Sequence, residues 1–72
     1  MNIKELKIKV RNTFENFGYQ LGEYLEFTVE VEEYGYSCFA SFEDEEEESK
    51  SFWFDLVRKE DNSLKMANIK AF

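Results

Sequence analysis

The apolar residues of this chain change their spacing once, from every third or fourth position before Gly18 to every second position after Tyr24, and that switch restricts the fold more than any single residue does. At about 100° per residue, Ile3, Leu6, Val10, Phe14 and Phe17 fall within about 80° of arc, the narrow stripe of a helix buried along one side. Asn2 followed by Glu5 has the spacing of an N-cap with its capping-box partner, and Gly18 stands where a left-handed residue would end the last turn. The pattern predicts a helix over 3–17. Leu6, Ile8 and Val10 also alternate with Lys7, Lys9 and Arg11, so a strand is the competing reading of the same segment.

Beyond Tyr24 the period is two. Leu25, Phe27, Val29 and Val31 face one way and Glu26, Thr28, Glu30 and Glu32 the other, which predicts a strand over 24–33. Gly35 can take a positive φ, and a second run over 36–43 puts Tyr36, Cys38, Ala40 and Phe42 on one face, so the two strands form a hairpin. In a third strand, 52–58, Phe52, Phe54 and Leu56 point toward the helix, while Trp53, Asp55 and Val57 point away and Phe39 can join Trp53. Lys59 to Ser63 reads as a turn and 64–71 as a weaker fourth strand. The expected fold is α+β: an N-terminal helix packed on a four-stranded antiparallel meander, in a single domain spanning 1–72. A small five-stranded barrel is the alternative if the first segment is a strand.

The stretch 43–50 fits no element. Glu43, Asp44, Glu45, Glu46, Glu47 and Glu48 are consecutive like charges that repel one another, so it reads as a solvated acidic loop. The run offers many carboxylate oxygens, yet it lacks the alternating ligands and central glycine of a calcium loop, and no metal site or cofactor is expected. A single cysteine and no histidine exclude an internal disulfide and the usual zinc, haem and iron–sulfur ligand sets. Cys38 lies in phase with the core face and has no histidine to activate it, and carboxylates bathed in solvent lack a pocket to split their pKa values. An enzyme is therefore not expected. No apolar run is long enough for a signal peptide or a membrane span, which together with the free thiol suggests a soluble cytoplasmic protein.

Charge carries the functional expectation. The formal net charge of −7 divides into +3 for residues 1–11, −12 for 12–49 and +2 for 50–72, because twelve Asp or Glu and no Lys or Arg lie between Arg11 and Lys50. An ordinary soluble surface intersperses both signs. A one-signed surface repels nucleic acid and anionic membrane and attracts basic protein surfaces, including those that hold nucleic acid. The row Glu26, Glu30, Glu32, extended by Glu43 to Glu48, resembles a phosphate backbone in its regular spacing, with Trp53 or Tyr36 as an aromatic anchor. Tyr19, Tyr24, Tyr34 and Tyr36 suit stacking on arginine better than on bases, and Lys4, Lys7, Lys9 and Arg11 read as a solvated face or an internal balance to the acidic sheet. In general character the chain resembles phage and mobile-element inhibitors of host nucleases, such as anti-CRISPR and anti-restriction proteins, although no motif ties it to one family. The expected function is a nucleic-acid mimic that inhibits a larger protein by occupying its basic surface. A structural or regulatory interaction module, such as a homodimer joined through Trp53, Phe39 and Val57, is the alternative.

Overall fold

In the computed structural model, which describes residues 2–44 and 48–72, the N-terminal segment is the helix α1 (Ile3–Asn16) and not a strand. The Asn2 side chain caps it by accepting from the Lys4 amide at 2.8 Å, and Gly18 follows at φ +102°. Four strands come next: β1 (Tyr24–Glu32), β2 (Gly35–Glu43), β3 (Ser49–Arg58) and β4 (Leu64–Ala71). They pair antiparallel in the order β1-β2-β3-β4, an open meander that does not close into a barrel.

Alternation decides what α1 covers. Leu6, Val10 and Phe14 descend onto Cys38, Ala40 and Phe42 of β2 and Phe52, Phe54 and Leu56 of β3, all buried. The register rows show how space is made. Ala40 lies between Phe27 and Phe52, and Cys38 between Val29 and Phe54, so small side chains on the middle strand alternate with large ones beside them. Phe14 fills the gap, stacked on Phe52 at 4.1 Å between ring centroids and edge-on to Phe54 at 5.5 Å.

Three expectations change. Leu25 does not join Phe27 on the core face: the ladder slips between Tyr24 and Glu26, the Tyr24 ring takes the place under the helix, and Leu25 is left 58% exposed. Val31 faces the helix side yet is 81% exposed, because a 14-residue helix spans about 21 Å while a nine-residue strand runs about 30 Å. Ile3 and Phe17, at the two ends of the helical stripe, are exposed as well. Finally, Ser49 and Lys50, expected in the acidic loop, and Ser51, expected just before the third strand, pair with Glu43, Phe42 and Ser41 as the start of β3. Glu43 itself closes β2, so the connection narrows to 44–48.

The β3–β4 turn is held by Asp61, whose carboxylate accepts from the Ser63 amide at 3.0 Å and from the Ser63 hydroxyl. Those two bonds draw the Asp61 pKa below its ordinary value. Asn62 takes the left-handed residue at φ 68°.

Lys4 and Lys9 of α1 are exposed, while Lys7 and Arg11 are tied inward. Arg11 donates to the Leu21 carbonyl at 2.6 Å, pairs with Glu15 at 3.4 Å and lies over the Phe42 ring, while Lys7 lies 4.6 Å from the Tyr24 centroid. The Tyr24 hydroxyl in turn donates to the Lys7 carbonyl. Burial pushes the Tyr24 phenol up to about 12, with the Arg11 charge opposing. Its folded-state value thus exceeds the unfolded one near 10, so the folded protein holds the proton more tightly between those values. The resulting stability is complete below about pH 10 and is lost as pH rises through about 12. Phenolate absorbance should show a transition near that upper value that Tyr24→Phe removes. A wild-type titration finished by about pH 10.5 would contradict the buried phenol.

Candidate functional site

The face of the sheet turned away from α1 carries the acidic row. Glu26, Glu30 and Glu32 of β1 project from it and are all exposed, with Thr28 between the first two. Beside them β2 presents Ser37, Phe39 and Ser41, then β3 presents Trp53, Asp55 and Val57, and β4 presents Lys65, Ala67 and Lys70. Residues 2–24 do not wrap over this face, since the helix and the segment after it pack on the other side through Leu6, Val10, Phe14, Tyr19 and Leu21.

Trp53 is 49% exposed, and its ring lies 4.6 Å from that of Phe39 at an interplanar angle of 50°. Thr28, Phe39 and Trp53 share one register row, and Glu26 and Glu30 stand on the diagonals of Phe39. Together with Ser37 they line a shallow groove of about 310 Å³, with an aromatic wall on one side and two carboxylates on the other. Asp55 is already engaged, accepting from the Tyr34 hydroxyl at 3.0 Å and from the Asn68 amide at 2.8 Å. Asn68 reaches it from φ 55° where β4 slips register, so the bulge aims that side chain at the carboxylate.

Of the residues singled out from sequence, the structure gathers Glu26, Glu30, Glu32 and Trp53 on this face. Glu43 follows them at the far end of β2, and Asp44 and Glu48 close the chain onto itself there, the Glu48 amide donating to Asp44 at 2.9 Å. Glu45, Glu46 and Glu47 lie outside the described residues. Tyr36 is not part of the face: it stands on the helix side, opposite Leu56 and half-buried against the core. It therefore cannot act with the carboxylate row as an anchor.

The other tyrosines are also committed. Tyr24 carries Lys7, Tyr19 lies 5.7 Å from the Lys50 ammonium, and Tyr34 donates to Asp55. Phe39 takes the position beside Trp53 that alternation from Tyr36 predicted. Ser37 and Thr28 carried no chemical signal of their own, and only the strand register shows that they line the groove.

On the buried side Cys38 is held as a thiol, its pKa pushed up to about 11 by burial, with the Asp55 charge adding to the effect. No described helix is long and apolar enough to cross a membrane. Compared with known proteins, the chain matches no family model, no curated protein and no solved structure.

Proposed function

We propose that this protein is a protein-binding inhibitor whose outer sheet face occupies the basic, nucleic-acid-holding surface of a larger protein, in the manner of an anti-CRISPR or other anti-defence nucleic-acid mimic. One observation carries it. Glu26, Glu30 and Glu32 stand exposed in a row on the face that also carries the half-exposed Trp53, two strands away beyond Phe39, and among the described residues none of the three meets a cation within salt-bridge distance. Carboxylates left unpaired in this way speed the approach of a basic surface, and an exposed tryptophan on the same face supplies the apolar contact that carries affinity. Nucleic acid itself is repelled by the same field.

The test is competition. Binding to a partner recovered from the native host should weaken steeply as salt rises, DNA or RNA should displace the protein, and replacing Glu26, Glu30 and Glu32 by Gln should slow association about tenfold or more. Binding indifferent to salt and to nucleic acid, or partners without a basic cleft, would exclude mimicry.

A homodimer also has one observation in its favour. The face is acidic along β1 and basic along β4, where Lys65 and Lys70 are exposed. A two-fold axis parallel to the strands would set β1 of one copy over β4 of the other, with Glu32 and Lys65 in the same register row and Phe39 over Trp53. Sedimentation separates the two: a dimer at micromolar concentration that Trp53→Ala dissociates favours self-association through this face.

A further inference from the structure

We infer that the groove between Glu26, Glu30 and Trp53 receives an arginine side chain of the protein partner, its guanidinium plane laid on the indole and its N–H edge turned to the carboxylates. The inference rests on the function proposed above and names what that surface recognises.

Three features of the groove select this occupant. Its volume of about 310 Å³ stands at the lower end of the range of ligand pockets, about 300–1,000 Å³, which suits one long side chain better than a folded ligand. Its walls differ in chemistry: the rings of Phe39 and Trp53 on one side, and the carboxylates of Glu26 and Glu30, two positions either side of Thr28, on the other. A planar cation with donors around its rim satisfies both walls at once, whereas an ammonium is a compact, strongly hydrated point charge.

The third feature is how the chain treats its own rings. Lys7, Arg11 and Lys50 each lie over an aromatic ring on the helix side, at Tyr24, Phe42 and Tyr19. Tryptophan is the best ring for a cation, yet among the described residues no cation sits over Trp53 or Phe39. Lys70 of β4 is the register partner of Trp53, so an incoming guanidinium is steered to the β1 side of the indole, where the carboxylates are.

Trp53 is the only tryptophan, so its fluorescence reads the groove directly. The probes are a short peptide of alternating arginine and glycine and its lysine counterpart, titrated at low ionic strength. The arginine peptide should perturb Trp53 emission and bind about five-fold or more tightly than the lysine peptide. The double variant Glu26→Gln with Glu30→Gln should abolish that preference. Glu33→Gln with Glu60→Gln, the same change of charge at exposed turn positions, should keep it, with circular dichroism confirming that both variants are folded. Equal binding of the two peptides, or equal loss in the two double variants, would overturn the arginine site while leaving a diffuse acidic binding face intact. If neither peptide binds at low salt, the face does not attract basic chains, and both the site and the proposed function fall.

Discussion

Phe14→Ala is expected to remove a large share of the stability of this domain. The ring is fully buried, stacks on Phe52, meets Phe54 edge-on and touches Tyr19 at 6.2 Å between centroids. Truncating a buried phenylalanine costs about 3–5 kcal/mol, because the transfer energy of the ring is lost and the cavity closes only in part. A 72-residue domain at about 0.05–0.15 kcal/mol per residue has only about 4–11 kcal/mol to lose. The helix has little else to hold it, since Leu6 and Val10 are its other buried side chains. Urea unfolding followed by far-ultraviolet dichroism should show the midpoint falling by about a quarter or more, with Phe14→Leu in between. A loss of less than about 1 kcal/mol would mean that α1 is held by its edges, through Arg11 to Leu21 and Tyr24 to Lys7, and not by this ring.

The helix, the hairpin and the two later strands were legible in the sequence because each rests on a spacing. Leu6, Val10 and Phe14 keep the helical period, and Phe52, Phe54 and Leu56 the strand period, and all six are buried. The exposed tryptophan followed from the same arithmetic, since Trp53 lies out of phase with its buried neighbours. Departures arose where period alone has no resolving power. Tyr24 and Leu25 are both apolar enough for the core, and only the slip of register against Phe42 and Ser41 decides which one enters. Ser49, Lys50 and Ser51 carry no apolar pattern, so their pairing follows from where β2 ends and not from their own chemistry. The tyrosines read alike as stacking platforms, but which of them is free depends on where Lys7, Lys50 and Asp55 come to rest. The acidic row was visible as charge and the Phe39–Trp53 pair as alternation; that Thr28 and Ser37 complete the groove between them needed the register of β1, β2 and β3.

The β2–β3 ladder begins at Gly35 opposite Val57, and replacing this glycine, the one in the β1–β2 hairpin, by Ala is expected to be strongly destabilising. Gly35 opens β2 at φ +146°, a conformation that residues with a side chain rarely adopt. A methyl group there would also run into the Leu56 carbonyl oxygen and crowd the Arg58 amide, which itself donates to the Tyr34 carbonyl at 2.8 Å. Both obstacles are backbone, so relief requires the turn to lift off β3. Gly18 supplies the control, because it too has positive φ, at +102°, yet an added Cβ would meet nothing within 4 Å. Gly18→Ala should therefore cost only the conformational term, about 1–2 kcal/mol, less a few tenths regained from the stiffer unfolded chain. Gly35→Ala should cost that and the collision, about 3 kcal/mol or more. Lifting the turn also draws Tyr34 from Asp55 and shifts Glu32 relative to Val57, so what folded protein remains should show altered Trp53 emission. Equal losses of stability in the two variants, with Trp53 emission unchanged in both, would show that the hairpin yields at Gly35 without disturbing the face that carries Glu26, Glu30 and Glu32.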